Sequence, residues 1–320
     1  MKFTSIPDNY SLLSEGLVYE VELGEVRDKA DLSIIDLSHE KVVATLRFTQ
    51  TSRISVDIGP YVRRMFTPSP SAGATESQTE ADRTVAVAVA VDGARCDVRL
   101  FSLFTLDGLP RLLTAMPENR TLATGEFDEV AFYPVGGGRI TIGYDNGNGE
   151  SVRLIKIEPN ARIGVLRINA DDFPSAEKGL KVIFESGGRV EKLFYERVRR
   201  TPDAVRLAWI ASTGAIEYYT FPTSRKRTLK TSKSRIYGSE GYLVTAAEGE
   251  ATVVAVSDFE PAAVIDVLDE ILGSPGVWRV EGDKFTKVDI VSSETLRRFD
   301  GSLNSLTVEF RTCKREEGLL

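Results

Sequence analysis

Histidine and cysteine are almost missing from this 320-residue chain: His39 is the only histidine, and Cys96 and Cys313 are the only cysteines. Three such ligands are too few for a tetrahedral zinc site built from thiolates and imidazoles. The thiols are far apart and neither has a CxxC partner, a usage that fits a reducing compartment. Both are expected to act as small buried apolar side chains, although spacing alone leaves a Cys96–Cys313 disulfide open. A Ser–His–acid triad would have to be built on His39. It sits in Leu37-Ser38-His39-Glu40-Lys41, between two strand-like runs, and nothing nearby signals a nucleophile, so a turn histidine is expected.

No stretch of about 18 apolar residues exists to span a membrane. The first 16 residues carry Pro7, Asp8, Asn9 and Glu15 and lack the apolar core of a signal peptide. A large excess of positive charge is missing too. Residues 1–160 hold 16 basic and 23 acidic side chains, and residues 161–320 hold 24 of each. Neither half has the basic balance of a nucleic-acid binder. Hydrophobic residues at 42% and charged residues at 27% are those of a globular chain long enough for about two domains.

What is present reads mostly as strands. Leu17–Leu23, Leu32–Leu37 and Val42–Phe48 alternate apolar and polar residues, as strands with one buried and one wet face do. Thr84–Val91 is a continuous Val/Ala run suited to a strand covered on both faces. Asp57–Phe66 has helical spacing, with Pro60 in its first turn. Residues 67–83, rich in Pro, Ser, Thr and Glu, read as an exposed loop. Glu126–Pro134 and Arg139–Tyr144 flank Gly136-Gly137-Gly138, which reads as a hairpin turn. A phosphate loop would need a helix after those glycines, and an alternating strand follows instead. Asp145-Asn146-Gly147-Asn148-Gly149 reads as a tight turn. Its oxygens invite a calcium reading, but the loop frame and terminal bidentate Glu of such sites are missing.

Charge balance and strand signals change near Glu158-Pro159-Asn160. The expected organisation is therefore mainly β in two domains: an antiparallel sandwich over 1–158, then a β-barrel or sandwich over 159–320 carrying one packed helix. That helix is expected at Glu260–Leu272, with an apolar stripe through Ala263, Val264, Val267, Leu268, Ile271 and Leu272. Pro261 sits at its start and Gly273 at its end. Strands are expected at Arg162–Ile168, Leu180–Ser186, Lys192–Val198, Tyr242–Ala247, Thr252–Ser257, Val277–Val280, Phe285–Val291 and Leu306–Thr312. Val205–Phe221 reads as a hairpin whose Trp209, Tyr218, Tyr219 and Phe221 belong to core or cross-strand packing.

Asp171-Asp172 and Asp269-Glu270 are acid pairs of the kind that flank a glycosidic bond in hydrolases. A chain with 47 acids offers such pairs by composition alone, and these read as a turn and a solvated helix face. The sharpest charge feature is Arg225–Arg235, where Arg225, Lys226, Arg227, Lys230, Lys233 and Arg235 place six cations in eleven residues without an acid. These six are the candidate interface residues. The pattern fits contact with an acidic surface or phosphate, but more readily a solvated strand or loop whose cations face the acidic N-terminal half. No catalytic, metal or cofactor residue emerges.

Leu207-x-Trp209-(x)4-Gly214-(x)3-Tyr218-Tyr219-x-Phe221 resembles a segment of bacteriophage and prophage tail proteins of the distal-tail and baseplate-hub kind. Further pieces follow the matching order. Ile6-Pro7-Asp8 with Val18-Tyr19-Glu20-Val21 resembles the start of such proteins, and Val56-Asp57-Ile58-x-x-Tyr61-Val62-Arg63-x-x-Phe66 their first short helix. Ile271-Leu272-x-Ser274-Pro275-x-Val277-Trp278 with Phe285-x-Lys287-Val288 resembles their end segment. Ala215 and Ile216 depart from the aromatic or polar residues common there. The resemblance spans most of the chain and implies a structural role without catalysis or cofactors. It implies a protein made in the bacterial cytoplasm, ending in the virion tail, and held by other tail or baseplate proteins in a homo-oligomer or ring. Nucleic acid and membrane insertion are not expected. The rival expectation is a carbohydrate- or surface-binding β-sandwich module.

Overall fold

A computed structural model describes the chain apart from residues 12, 14, 15, 67, 80–83, 105, 107, 148, 160–162, 177, 240, 293–302, 313–315 and 318–320, and without the side chains of 77–79, 225–227, 246–250, 316 and 317. The fold is mainly β. In chain order it begins with β1 (Lys2–Ser5), β2 (Val18–Asp36), β3 (Lys41–Asp57), α1 (Gly59–Arg63), β4 (Glu76–Thr79), β5 (Thr84–Val91), β6 (Ala94–Arg95) and β7 (Arg99–Ser102). There follow β8 (Arg111–Leu113), β9 (Asn119–Ala123), β10 (Phe127–Tyr133), β11 (Gly138–Asp145), β12 (Glu150–Ile157), β13 (Gly164–Asn169), β14 (Leu180–Ser186) and β15 (Arg189–Val198). The last third holds β16 (Val205–Ile210), β17 (Ile216–Phe221), β18 (Thr223–Gly238), β19 (Gly241–Val256), α2 (Ala262–Gly273), β20 (Val277–Glu281), β21 (Lys284–Ile290), β22 (Thr307–Thr312) and β23 (Glu316–Glu317).

The first sheet joins β1, β2, β3, β5, β6 and β7. Its centre is β2 against β3, paired from Val18↔Asp57 to Asp36↔Lys41. The alternating runs at Leu17–Leu23 and Leu32–Leu37 are two ends of this one strand. The polar middle stays extended because β3 crosses it through a bulge, with Gly24 and Gln50 in the left-handed region at φ 85° and 50°. Leu17, Tyr19, Val21, Leu32, Ile34, Val87 and Val89 form its core, closed by Ile58 at the start of α1 and Val62 within it. The Asp57 carboxylate accepts from Leu17 N at 2.7 Å and Gly59 N at 2.8 Å, tying the helix start to β2. Pro60 lies in the first turn, where a missing N–H leaves no helix bond unmade.

Two sheets make the middle of the molecule, ordered β4-β13-β10-β8 and β12-β11-β14-β15-β9. Val130, Phe132, Leu166 and Ile168 of one share a core with Ile140, Val182, Phe184, Leu193 and Tyr195 of the other. The expected boundary at residue 158 cuts through both. β13 pairs with β10, β14 with β11, and β15 with β9 in the one parallel match of this pair. Hydrogen-bond partners here are chosen across the chain, and a change in charge balance carries no information about them. Residues 160–162, including the expected strand start at Arg162, lie outside the described residues.

Two further expectations are corrected here. Gly136-Gly137-Gly138 is no hairpin turn, since β10 and β11 belong to different sheets. Gly136 and Gly137 have φ of 70° and 84°, and a Cβ on Gly138 would lie 2.2 Å from the Glu185 carbonyl oxygen. The glycines carry the chain from one layer to the other past a closely approaching backbone. Of the segment 67–83, residues 67 and 80–83 lie outside the described ones, and residues 68–79 are not simply an exposed loop either. β4 pairs with β13, Thr75 is buried, and Thr75 N donates to Asp172 at 2.6 Å.

The last sheet runs β17-β16-β20-β21-β22-β19-β18, with β23 beside β19. α2 covers it, laying Val264, Val267, Leu268 and Ile271 on Leu207, Trp209, Phe221, Val277 and Phe310. The hairpin expected over 205–221 and both expected helices are present.

Candidate interaction surface

β18 and β19 are bonded to each other from Thr223↔Val256 to Gly238↔Gly241. β22 covers β19 only at Thr252–Val256, and β23 touches only Glu248 and Gly249. Beyond that point the two strands run on as a ribbon with no further strand beside them among the described residues. From Thr252 to Tyr242 is ten residues, about 33 Å at strand rise. A two-stranded ribbon has no core of its own and is only marginally stable alone in water.

The six basic candidates all lie on β18, at the free edge of the sheet. Lys230, Lys233 and Arg235 are exposed, whereas the side chains of Arg225, Lys226 and Arg227 lie outside the described ones. Backbone register puts Lys230 opposite Glu250 and Ser232 opposite Glu248. Two acids on β19 therefore sit across from the cluster, which the one-dimensional sequence does not reveal.

The tip was not singled out from the sequence. Tyr237 and Tyr242 face each other, 77% and 75% exposed, with ring centroids 5.2 Å apart in an edge-on pair. The adjacent pair is Ile236 opposite Leu243, and both are exposed. Neighbouring cross-strand pairs point to opposite faces. The tip is thus apolar on both sides. The signal was available: Gly238 and Gly241 bracket a two-residue turn between Ile236-Tyr237 and Tyr242-Leu243.

Buried charge is concentrated elsewhere, between the middle sheets and the last one. Arg120 Nη1 donates to Asp128 at 2.9 Å, Nη2 to Thr114 Oγ1 at 2.5 Å and Nε to the Pro117 carbonyl at 3.1 Å. Tyr195 donates to the same Asp128 at 2.8 Å, and Glu217 accepts from Thr114 Oγ1 and Ala115 N. Burial pushes the Glu217 carboxyl above its ordinary value, and the Arg120 charge opposes that shift. Arg206 bridges the same units, donating to the Phe127 carbonyl and Thr220 at 2.7 Å each and lying over the Tyr218 ring. These groups are largely consumed by one another, so the cluster joins sheets.

The remaining sequence candidates are structural in their surroundings. His39 lies in the β2–β3 turn, with Nδ1 2.8 Å from Asp36 Oδ2. Asp171 accepts from Gly125 N at 2.9 Å. Glu270, expected on a solvated face, accepts from Ser212 N at 2.9 Å and Ser212 Oγ at 2.5 Å, holding the β16–β17 turn. Asp145 accepts from Gly147 N and pairs with Lys178 at 3.1 Å, while Asn148 lies outside the described residues. Cys96 is a free, buried thiol, and Cys313 lies outside the described residues. Among the described residues no cluster of three His, Cys, Asp or Glu is placed to hold a metal. Among the described residues no helix is long and apolar enough to cross a membrane. A groove of about 680 Å³ lies between the α1 end, the β16–β17 turn and β20, lined by Phe66, Phe104, Ile210 and Trp278 with Arg63 and Lys287.

No protein-family model and no curated protein matches the chain. Among solved structures it is similar to extracellular domains 3–5 of Drosophila OTK, at 7% identity and TM-score 0.25, covering 79% of this chain and 91% of that one. It is also similar to a Dpr2 Ig1-Ig2 complex with DIP-Theta Ig1-Ig3, at 8% and 0.21, covering 97% and 88%. A third likeness is to native E. coli alpha-2-macroglobulin, at 9% and 0.21, covering 79% and 21%. At such TM-scores these likenesses carry no argument about function.

Proposed function

We propose that this chain is a structural component of a phage or prophage-derived tail or baseplate, acting through protein–protein assembly without catalysis. The observation that carries the assembly reading is the β18–β19 ribbon, which carries an apolar tip and a basic stem that no other described strand of the chain covers. Exposed apolar side chains grouped at one place mark interaction sites. The tail assignment draws its support from the ordered sequence resemblance. Apart from Ile6-Pro7-Asp8, which lies between β1 and β2, its quoted pieces fall on or next to β2, the end of β3 with α1, β16–β17, α2 and β20–β21, framework elements of the fold. On this reading the protein is made in the bacterial cytoplasm and ends in the virion, among other tail proteins.

The acidic N-terminal half and the basic stem have opposite sign, so a head-to-tail contact between subunits uses both, and such contacts close into rings. Exposed ion pairs are individually weak, so the stem sets register and association rate more than affinity. Reversing Arg225, Arg227 and Lys230 to Glu is expected to weaken assembly without lowering the melting temperature. Sedimentation with and without neighbouring tail proteins at low salt reads this out. Assembly of the reversed protein as strong as the parent's would refute the stem's role. The groove lined by Phe66 and Trp278 is what favours a second reading, a carbohydrate- or surface-binding module. Saturable glycan binding that is lost in Trp278→Ala would select it.

A further inference from the structure

The two long edges of the ribbon differ in chemistry. Among the described residues the outer edge of β18 has no partner strand along Thr223–Gly238, and this strand carries all six cations of the stem. Charges on an open edge repel a second copy of that edge. The outer edge of β19 is covered by the protein's own strands at Thr252–Val256 and at Glu248–Gly249. From 241 to 247 it has no partner strand among the described residues. That open stretch, Gly241-Tyr242-Leu243-Val244-Thr245-Ala246-Ala247, has no charge and no proline. Tyr242, Leu243, Val244 and Thr245 in it are exposed. Uncharged, β-prone segments on open edges are templates for pairing with another chain.

The stretch is also complementary to itself. Laid antiparallel on a second copy about Val244, it puts Val244 opposite Val244, Leu243 opposite Thr245, Tyr242 opposite Ala246 and Gly241 opposite Ala247. Each large side chain then meets a smaller one, apart from the central valines. A two-fold contact requires such self-complementarity. The cationic β18 strands become the outer strands of the resulting four-stranded ribbon. They lie three strand spacings apart, about 14 Å, beyond the screening length of roughly 8–10 Å at physiological salt. The cations thus protect one edge without opposing union at the other.

We propose that two copies of this chain pair antiparallel through residues 241–247 of β19 about a two-fold axis at Val244. The inference rests on the assembly reading in taking the hairpin as an interface, and it names the first partner there as a second copy. The contact buries exposed Tyr242, Leu243 and Val244 and extends the marginal ribbon to four strands.

The test uses the full chain. Sedimentation velocity over a concentration series is expected to show a dimer for the parent. Val244→Lys, which sets two cations against each other on the axis, is expected to give a monomer with an unchanged melting curve. Val244→Cys is expected to form a cross-linked dimer under diamide, whereas Leu229→Cys on β18 is not. The cross-link does not depend on how the Lys variant folds. A parent that stays monomeric with no cross-link in Val244→Cys overturns the proposal, as does an oligomer unaffected by Val244→Lys. The second result would leave assembly standing through another surface. A Val244-dependent dimer unaffected by reversal of Arg225, Arg227 and Lys230, with no tail partner engaged, would keep the two-fold contact and reject the stem.

Discussion

Removing the Trp209 ring tests the packing of the last sheet directly. Trp209 is fully buried on β16, among Leu207, Phe221, Leu268, Ile271 and Val277, under the apolar face of α2. Its indole N–H has no partner among the described residues. The side chain therefore contributes through volume and dispersion, without a hydrogen bond. Truncation of a buried aromatic leaves a cavity that surrounding strands cannot fill, and costs about 3–5 kcal/mol. The strands around position 209 are held by ladders on both sides, to β17 and β20, so collapse into the cavity is restricted.

Trp209→Ala is therefore expected to lower the melting temperature by about 6–20 °C, at about 2–4 °C per kcal/mol for a domain of this size. Trp209→Phe separates packing from polarity. Most of the ring is kept and no hydrogen bond is lost, so the cost is expected to be clearly smaller than for Ala. Thermal unfolding followed by circular dichroism reads both. An unchanged melting curve in Trp209→Ala would refute the burial argument, and a Phe variant as damaged as the Ala variant would show that the N–H has a partner.

Arg120→Met is expected to cost about 3–5 kcal/mol, because it leaves the Asp128 carboxylate buried without its cation. Adding Asp128→Asn should recover part of that loss in chemical denaturation, and strict additivity of the two changes would argue against the pair. Glu217→Gln is expected to change the pH dependence of stability. The folded-state carboxyl value is raised by burial, so between the ordinary carboxylate value and the raised one the folded protein binds more protons than the unfolded chain. This group therefore makes stability fall as pH rises through that window, and the Gln variant should lose the slope in denaturant midpoints measured across it.

Local signals were enough for elements whose partners lie nearby. Pro60 and the apolar spacing of 58, 61, 62, 65 and 66 identify α1, and Gly273 identifies the end of α2. The β16–β17 hairpin follows from alternation around Gly214. Partner choice over long distances was not legible. The triglycine at 136–138 has the composition of a hairpin turn, yet its two strands enter different sheets, because β11 finds β14 more than thirty residues on. The middle of β2, with Gly24, Glu25 and Asp28, falls outside the alternating runs, yet it stays extended because β3 pairs on either side of the bulge.

The interaction surface shows the same division between what one strand carries and what its neighbours expose. The cations from Arg225 to Arg235 stand out in the sequence, since a charge run needs no partner to be recognised. Gly241–Ala247 reads only as an ordinary strand, and its meaning comes from where the neighbouring strands stop. β22 covers Thr252–Val256 of β19 and β23 covers Glu248 and Gly249, and among the described residues no strand lies beside the uncharged part. An edge is defined by which strand is absent beside it, and a sequence has no mark for that. The cations along β18 are what an edge left free for solvent requires, while the uncharged 241–247 stretch of β19 is costly in a monomer because it invites unspecific pairing. The asymmetry is therefore explained if the β19 edge is occupied in the assembled protein and the β18 edge remains accessible to an acidic surface.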